Sequence, residues 1–320
     1  MKRAYILFFK FLVAAGLWVG LEQLIELKTH GFCLQRIFAE DLLHQQRWEI
    51  APLSAEQKDE VENLLDQPYR MIGAGSECFA FVSRDGKAVI KFFKLDLARP
   101  VFFHRGIFLE DYSSHFATIS NHPLTRLCLP SLPQQSLKRL LGIREFRIER
   151  SFSSIHLAYE HLKEETGLLY LHLNKTENLH KKLTLYDASG IAHQVDLDKT
   201  HFFLQKRATP LEQHFAALKQ GKKDEEAKKS IDSFVELLVG RCKKGFADRD
   251  VINRNFGYID TQAIEIDSGS FRKSPQMSQA WLYKQELFYA TLELKFWLKK
   301  HYPEMVSYLE DKVTKEIHET

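Results

Sequence analysis

The 320-residue sequence predicts an α+β fold with two lobes: an antiparallel β-sheet lobe, then a small helical lobe, both preceded by an apolar helix. Residues 69–93 and 167–206 contain short runs rich in β-branched and aromatic residues, separated by turn signals, as antiparallel strands do. From residue 210 onward, apolar residues recur at spacings of three and four, which is typical of amphipathic helices. The length and an apolar share of 44% accommodate two packed lobes.

The first 27 residues predict a membrane anchor or an interfacial helix. The apolar run from Ala4 to Leu21 is interrupted only by Lys10 and is long enough to cross a bilayer. A helix lying in the membrane interface is the second alternative, because Lys10 can extend its ammonium group towards water. A cleaved signal peptide is the third, although Ala14-Ala15-Gly16 is a poor cleavage site.

Composition excludes two classes of protein. A net charge of +3 is small for this length and gives no signature of nucleic-acid binding. The four cysteines include no Cys-x-x-Cys pair, so the pattern is neither that of a zinc site nor that of a disulfide framework. We therefore expect reducing surroundings and no nucleic-acid partner.

A helical linker is predicted over residues 28–68, and the β-rich lobe over residues 69–207. In the linker, Ser54 followed by Gln57 matches a capping box at the start of a short helix. The lobe begins with three strand-like runs in residues 69–93, "YRMIGAGSECFAFVSRDGKAVIKFF". Gly73-Ala74-Gly75 joins the first two runs, and its glycines let the backbone approach an anionic ligand closely.

Lys91 interrupts the third of these strands, which is otherwise apolar. Strand alternation places Val89, Lys91 and Phe93 on one face. A half-buried lysine costs several kcal/mol unless it has an anionic partner. The sequence therefore predicts a carboxylate or a phosphate beside Lys91.

After the third strand, residues 94–135 are irregular and have no assigned role. Apolar periodicity then predicts an amphipathic helix over residues 136–165, before the four strand-like runs of residues 167–206. The helical lobe is predicted over residues 208–320. Two last helices are predicted, from Ser278 to His301 and from Pro303 to the end. The first of them carries aromatic residues at helical spacing, which we assign to the core of that lobe: Trp281, Phe288, Phe296 and Trp297.

Two acidic segments follow the first helices of this lobe. Residues 246–257, "FADRDVINRNFG", contain Asp250 and Asn255, and a short strand then leads to Asp267. Carboxylate and carboxamide oxygens are hard ligands that suit Mg²⁺, an ion that shares its coordination shell with water and phosphates. A local turn built from Asp, Asn and Gly is the alternative explanation for the first segment alone.

Taken together, these motifs resemble those of the protein-kinase-like superfamily. Gly73-x-Gly75 followed by Ala88-Val89-Ile90-Lys91 is similar to the glycine-rich loop and the third-strand lysine. Arg249-Asp250, Asn255 and Asp267-Ser268-Gly269 are similar to the catalytic loop, its metal-binding asparagine and the metal-binding aspartate motif. Order and separation agree over about residues 69–270.

The resemblance implies ATP and Mg²⁺ as cofactors, with a role for each matched residue. Asp250 acts on the acceptor hydroxyl, Asn255 and Asp267 hold the metal, and Lys91 anchors the phosphates. A glutamate of the amphipathic helix pairs with Lys91; Glu160 is our first choice. The other implied positions are Gly73, Ala74, Gly75 and Val89 around the nucleotide, Gln205 at the hinge, and Glu149, Glu145 and Glu110 as alternatives to Glu160.

Departures from the pattern indicate which relatives are nearest. Cys78 stands in place of the third glycine, Asp248 in place of the catalytic-loop histidine, Ile252 in place of a lysine and Ser268 in place of a phenylalanine. No Ala-Pro-Glu motif follows, and the chain after Gly269 is short. The resemblance is therefore closer to kinases of small molecules and glycolipids than to regulated Ser/Thr kinases.

The function implied is a membrane-associated, ATP- and Mg²⁺-dependent phosphotransferase acting on a hydroxyl of an unidentified acceptor, which is a small molecule, a glycolipid or a protein. A nucleotide-binding pseudokinase that acts as a scaffold or regulator is the alternative, and the departures at Cys78 and Ile252 favour it. A purely structural membrane protein is a third hypothesis.

Two arguments about localisation conflict. Lys2 and Arg3 precede the apolar run while Glu22 and Glu26 follow it, so the positive-inside rule favours a catalytic part outside the cytoplasm. The need for ATP and the lack of cysteine pairs favour the cytoplasmic side. We expect the catalytic part on the cytoplasmic side of a membrane.

Overall fold

The computed structural model describes residues 2–38, 44–95, 134–248 and 250–318. Four sequence assignments fall elsewhere, in whole or in part. Glu110, Arg249 and most of residues 94–135 lie outside the described residues, as does the side chain of Glu145.

The described helices and strands follow the predicted order closely. The α-helices are α1 (Lys2–Thr29), α2 (Ala55–Leu65), α3 (Gln134–His161), α4 (Lys163–Thr166), α5 (Leu211–Gln220), α6 (Asp224–Lys243), α7 (Ala280–His301) and α8 (Val306–His318). The strands are β1 (Tyr69–Ala74), β2 (Cys78–Ser83), β3 (Ala88–Phe93), β4 (Leu168–His172), β5 (Lys182–Tyr186), β6 (Ala192–Asp196), β7 (Phe202–Lys206), β8 (Thr209–Pro210), β9 (Phe246–Ala247), β10 (Phe256–Ile259), β11 (Gln262–Glu265) and β12 (Arg272–Lys273). The α+β class and the predicted strands of residues 69–93 and 167–206 are confirmed.

The chain divides into two compact units, each made of two segments. The first unit comprises Met1–Pro130 and His172–Phe202, and the second comprises Ser131–Leu171 and Phe203–Thr320. Sequence analysis assigned helix α3 to the β-rich lobe, whereas α3 belongs to the second unit. The contacts between α3 and other segments of the second unit explain this assignment.

In the first unit, the strands are ordered β3-β2-β1-β5-β6. The pairs β1–β2, β2–β3 and β5–β6 are antiparallel. In contrast to the antiparallel lobe that was predicted, β1 and β5 pair in parallel. Two antiparallel arrangements, β1-β2-β3 and β5-β6, thus meet at a parallel seam.

One face of β1-β2-β3 carries the aromatic core of the first unit. Phe79, Phe81 and Phe92 are fully buried on that face. Phe32, in the segment after α1, makes edge-to-face contacts with Phe79 and Phe81 at centroid distances of 5.2 Å. Such pairs add about 0.5–1.5 kcal/mol each beyond burial of their area. Phe32 therefore fixes the segment after α1 onto the sheet.

The structure tests two predictions about the amino-terminal helices, the capping box and the apolar segment. The capping box of α2 is present: Ser54 Oγ accepts from Gln57 N, and Gln57 Oε1 accepts from Ser54 N. Residues 2–29 are helical, as expected of the apolar segment. Within the described parts of the chain, however, no helix has the length and apolar composition to cross a membrane. The prediction that residues 1–27 cross a membrane is therefore unsupported.

In the second unit, helices α5 to α8 pack around one apolar core. Its fully buried members include Phe215, Phe234, Leu238, Leu294 and Leu298. A three-stranded sheet in the order β11-β10-β8 lies beside these helices, and β9 pairs with β12. Gly245 adopts a left-handed φ of 82° just after α6, and so ends that helix as the sequence predicts.

The aromatic residues of α7 are a correction to the sequence analysis. Trp297 packs against the core, but Trp281, Phe288 and Phe296 are exposed. The helix has two apolar faces, and the core takes the other one, which carries Tyr283, Leu287, Ala290, Leu294 and Leu298. Aromatic spacing alone does not distinguish these two faces.

A buried carboxylate organises the loop between β4 and β5. Asp198 accepts hydrogen bonds from the backbone nitrogens of Asn178 (3.2 Å), Leu179 (3.0 Å) and His180 (2.8 Å), and from the Thr176 hydroxyl. Burial raises the pKa of Asp198, but these hydrogen bonds outweigh it and hold the pKa below its usual value. The loop therefore depends on an ionised carboxylate.

We expect Asp198→Ala to lower the free energy of unfolding by about 2–3 kcal/mol, because it leaves several donors without an acceptor. The matched control is Glu177→Ala, an exposed carboxylate of the same loop. The free energies come from urea unfolding of both variants and of the unsubstituted chain.

The contribution of Asp198 also has a defined pH dependence. Its pKa is lower in the folded chain than in the unfolded one, so the unfolded chain takes up the proton first as the pH falls. The difference between Asp198→Ala and the unsubstituted chain should thus be full near neutral pH and shrink in acid. A difference that is constant between neutral and acidic pH would contradict this assignment.

Candidate functional site

Lys91 and the Gly73 loop lie on the face of the first unit opposite its aromatic core. The strand register pairs Gly73 with Ala80 and Ala80 with Lys91, so the three residues form a row across β1, β2 and β3. Lys91 is half-buried, and its neighbours on the same face, Val89 and Phe93, are buried. The predicted alternation of β3 is thus confirmed, with one cation in an apolar row.

Gly73 has open space beside its backbone. A Cβ atom built at Gly73 meets no other atom within 4 Å. A bulge between Met71 and Gly73 shifts the register of β1 at this point. The backbone of β1 can therefore be approached closely at Gly73.

The loop after Gly73 is held by a hydrogen bond and by a second lysine. Gly75 N donates to Cys78 O at 2.9 Å, which closes the turn from Ala74 to Cys78. The Lys94 ammonium group contacts Gly75 O and lies 4.6 Å from the centre of the Phe79 ring. Sequence analysis missed Lys94. Its signal was a basic residue directly after a strand that already carries Lys91.

In the second unit, Asn255 links Asp250 to Asp267 through its side chain and its backbone oxygen. Asn255 is buried, and its Nδ2 donates to the backbone oxygen of Asp250 at 2.6 Å. The backbone oxygen of Asn255 accepts from Ile266 N at 2.7 Å and from Asp267 N at 3.4 Å. The structure therefore brings together three of the predicted site residues; the fourth, Lys91, belongs to the first unit.

Oxygen acceptors remain available at this junction. Among the described residues, no donor contacts Asn255 Oδ1 or the Asp250 carboxylate, and Asp267 Oδ1 accepts only from Gly269 N at 3.2 Å. Asp250 and Asp267 are both exposed. Oxygens of this hard type are those that Mg²⁺ prefers, and a Mg²⁺ ion held by Asn255 and Asp267 stays a prediction. No group of three or more His, Cys, Asp or Glu suited to a metal occurs in the described residues.

Asp248 connects the two acidic segments from inside. It is buried, and its Oδ1 accepts from Asp250 N at 3.1 Å and from the Ser270 hydroxyl. Its Oδ2 is buried and has no hydrogen-bond partner among the described residues. Sequence analysis recorded Asp248 only as a departure from a histidine. The signal in the sequence was the carboxylate itself, because an aspartate at this position can accept hydrogen bonds from backbone and hydroxyl groups.

Helix α3 is fastened to the segment that follows Asp267. Ser154 Oγ donates to Ser268 O at 2.5 Å and accepts from Phe271 N at 2.8 Å. The Ala247–Arg272 pairing of β9 with β12 continues this connection. Sequence analysis missed Ser154. A small polar residue on the buried face of an amphipathic helix was its only signal.

Glu160, our first choice as the partner of Lys91, lies on the exposed side of α3. Its carboxylate is 3.6 Å from His156 Nδ1 and 3.9 Å from His161 Nε2. Glu149 lies eleven residues earlier on the same helix. The pairing of Lys91 with Glu160 stays a prediction.

Gln205, assigned to the hinge, has a structural role for its side chain. The Gln205 amide is buried, and its Nε2 donates to Thr166 O at 2.6 Å and to Glu265 O at 3.3 Å. It thus joins β7 to the end of α4 and to β11. Contact of the Gln205 backbone with a nucleotide stays a prediction.

Gly257 allows two backbones to approach next to the site. A Cβ atom there would lie 2.9 Å from Thr209 O and 3.0 Å from the Cβ of Ala208. Gly257 faces Pro210 of β8 in the register of the three-stranded sheet. A larger residue would push the segment around Thr209 away from β10, which directly follows Asn255.

A buried ion network joins the elements that carry Asp250 and Asp267. Arg241, fully buried near the end of α6, contacts Glu265 of β11 and Glu286 of α7 through its two terminal nitrogens. Burial alone would lower the pKa of Arg241, but the two carboxylates raise it above its ordinary value. Burial raises the pKa of Glu265, and the guanidinium group opposes that rise.

Comparisons with known proteins found partial similarity to two solved structures. No protein-family model matches the sequence, and no curated protein matches it. The bifunctional kinase-methyltransferase WbdD is similar at 15% identity and a TM-score of 0.33; the match covers 74% of this chain and 43% of that one. The ternary complex of streptomycin, ATP and APH(2″)-IIa is similar at 11% identity and a TM-score of 0.27, over 85% of this chain and 98% of that one. This chain thus spans less than half the length of the WbdD chain.

We expect Arg241→Met to lower the free energy of unfolding by roughly 3–5 kcal/mol, because it leaves the Glu265 carboxylate buried without its cation. The control is Lys243→Met on the same helix, whose ammonium group is 3.4 Å from Glu316 at the surface. That change should cost at most about 1 kcal/mol. Denaturant unfolding gives both numbers, and equal losses in the two variants would show that the network does not support the fold.

Proposed function

We propose that this chain is an ATP- and Mg²⁺-dependent phosphotransferase that transfers the γ-phosphoryl group to a hydroxyl of an acceptor. The observation that carries the proposal is the hydrogen bonding of Asn255, which joins Asp250 to the backbone of Asp267. Because Asn255 Nδ2 donates to the backbone oxygen of Asp250, Asn255 Oδ1 remains available for a cation. Phosphoryl transfer depends on such positioning and on charge neutralisation more than on covalent chemistry.

Asn255 and Asp267 are the proposed metal ligands. Mg²⁺ supplies neutralisation of the charge that develops on the phosphate oxygens. Asn255 contributes a neutral oxygen and Asp267 a charged one, and Gly269 N fixes one oxygen of the Asp267 carboxylate. The proposal rests on the type and availability of these oxygens.

Asp250 is the proposed residue for the acceptor. Its carboxylate would accept the acceptor's hydroxyl proton while the acceptor oxygen bonds to the γ-phosphorus and the bond to the β–γ bridging oxygen breaks, leaving ADP. Asp248 positions this loop, because it accepts from Asp250 N and from the Ser270 hydroxyl. It acts through Asp250 and is a positioning residue.

Lys91 and the loop of Gly73, Ala74 and Gly75 are the proposed phosphate-binding groups of the first unit. Lys91 is half-buried in the row Gly73–Ala80–Lys91, and its ammonium group would bind a phosphate oxygen. Val89 on the same face offers an apolar surface to the base or ribose. The acceptor is a small molecule, a glycolipid or a protein in this proposal.

Association with a membrane through residues 1–27, and a catalytic part on the cytoplasmic side, stay predictions made from the sequence. A pseudokinase remains the alternative function, because Cys78 replaces a glycine of the phosphate-binding loop. The experiments below separate binding from turnover.

Nucleotide binding is tested by thermal unfolding in ATP with and without Mg²⁺. We expect ATP with Mg²⁺ to raise the unfolding temperature, since a ligand that binds only the folded chain stabilises it. Lys91→Met should abolish most of that rise. The matched control is Lys87→Met, an exposed lysine in the turn directly before β3, which should keep the rise. An unchanged unfolding temperature at millimolar ATP in the unsubstituted chain would end both the phosphotransferase and the nucleotide-binding pseudokinase hypotheses.

Asp267→Asn and Asp250→Asn should fail in different ways. Asp267→Asn removes a charged oxygen from the proposed metal site, so we expect weaker Mg²⁺-dependent ATP binding. Asp250→Asn should leave ATP binding nearly intact and lower turnover by roughly 10²- to 10⁴-fold. ATP affinity at fixed Mg²⁺ and the rate of ADP formation, including slow hydrolysis, measure the two effects.

The pattern of losses distinguishes the hypotheses. Small and equal effects of both substitutions favour a pseudokinase. A large loss of ATP affinity in Asp250→Asn alone means that the two carboxylates have exchanged roles.

A further inference from the structure

Helix α7 exposes a row of large apolar side chains to solvent. The row consists of Trp281, Phe288, Tyr289, Leu292 and Phe296, here called the α7 outer face. Trp281 is 60% exposed, Phe288 48%, Tyr289 69% and Phe296 66%. These positions recur at helical spacing on one side of the helix and extend over about 22 Å.

This face is additional to the one that packs in the core. Tyr283, Leu287, Ala290, Leu294 and Leu298 already bury the opposite side of α7. A helix that is apolar on all sides is normally covered on all sides. A continuous exposed apolar patch of this kind marks a surface that contacts a membrane or a protein partner.

The two acidic residues of α7, Glu286 and Glu293, both have partners within the protein, and the Glu293 side chain is exposed. Glu286 contacts Arg241, and Glu293 Oε2 accepts from Asn253 N at 2.6 Å. Both carboxylates are thereby occupied by internal partners. The outer face keeps one uncharged polar residue, Gln285, and has no acidic member.

Lysines flank the same face. Lys284 lies beside its amino-terminal end and Lys299 and Lys300 at its carboxyl-terminal end, and none of the three has an ion-pair partner among the residues that the structure describes. Lys295 is the exception, with Glu310 at 2.5 Å. The face thus combines aromatic side chains with free positive charge.

We propose that the α7 outer face docks on the surface of a lipid bilayer that contains anionic headgroups. Trp, Tyr and Phe insert favourably at the boundary between headgroups and acyl chains. Lysine side chains at the ends of the face reach the headgroup phosphates with their ammonium groups. Charge complementarity therefore selects an anionic membrane. This inference does not depend on the proposed phosphotransferase activity or on residues 1–27.

A second copy of the chain fits the face less well. Antiparallel pairing of two outer faces would set Lys299 and Lys300 of one copy against Lys284 of the other, with no carboxylate on either face to pair with them. Like charges at such a contact oppose association. Self-association is one outcome of the experiment below.

Position-specific labelling tests the proposal on the full chain. Phe296→Cys and Phe146→Cys each receive an environment-sensitive fluorophore; both phenylalanines are 66% exposed and lie on helices of the second unit. The unsubstituted chain, labelled in parallel, supplies the background from its own cysteines. The vesicles are phosphatidylcholine alone or phosphatidylcholine with phosphatidylglycerol.

We expect the probe at position 296 to show a several-fold increase in emission with the anionic vesicles, and the probe at position 146 to show none. Because the probe reports on its own position, binding through another part of the chain cannot produce this pattern. No increase at position 296, equal increases at both positions, or an equal response to neutral vesicles overturns the proposal. So does an increase at position 296 that follows protein concentration without vesicles, which indicates self-association.

Substitution of the face gives a second measurement. The double variant Trp281→Ser, Phe288→Ser should weaken binding to the anionic vesicles by about tenfold or more, since each aromatic loses its buried apolar area. Phe146→Ser should leave binding unchanged. Circular dichroism and thermal unfolding show whether each variant remains folded. Equal vesicle binding by the folded double variant and the unsubstituted chain would overturn the proposal.

Discussion

The second unit is organised around the buried positive charge of Arg241. The guanidinium group of Arg241 has no access to water, so Glu265 and Glu286 must stay beside it. These three residues belong to α6, β11 and α7. The need to neutralise one buried charge therefore holds these three elements together. Asp248 follows α6, and Asp267 follows β11 by two residues. The positions of the candidate site residues therefore derive from an interaction that does not itself contact a ligand.

The candidate site lies close in sequence to the Arg241 network, and its loop is held by groups other than the carboxylates of Asp250 and Asp267. These two carboxylates can therefore stay available for a ligand. Backbone hydrogen bonds and the Asn255 amide hold the loop, so the carboxylates of Asp250 and Asp267 are not used to support it. Asp248 takes the supporting role instead. A division between buried supporting groups and exposed reactive groups keeps charged oxygens free in a protein that must also fold.

Local patterns in the sequence predict the elements whose geometry is local. The strands β1 to β3, the Ser54–Gln57 capping box and the left-handed Gly245 depend on neighbouring residues, and the prediction was correct for each. Sequence spacing also selected Asp250, Asn255 and Asp267, whose mutual hydrogen bonds lie within a short stretch of chain. Such motifs are visible because the residues that make the contact are close in sequence.

Contacts between distant segments were not predictable in the same way. Ser154 forms hydrogen bonds with Ser268 and Phe271, which lie more than one hundred residues later in the chain. The sequence around Ser154 does not predict these contacts. The choice of which apolar face of α7 enters the core depends on α6 and α8, so periodicity alone assigned Phe296 to the wrong side. The parallel pairing of β1 with β5 likewise joins segments that no turn connects.

That parallel seam has a consequence for biosynthesis. Tyr69 pairs with Leu185 and Arg70 with Tyr186, so the β1-β2-β3 hairpins leave the ribosome long before the strand that completes their sheet. Until β5 arrives, β1 is an open edge whose backbone groups are available to other chains. Long-range pairings of this kind form slowly and expose nascent chains to aggregation. The first unit is therefore expected to need protection during translation, most of all while residues 94–181 are being synthesised.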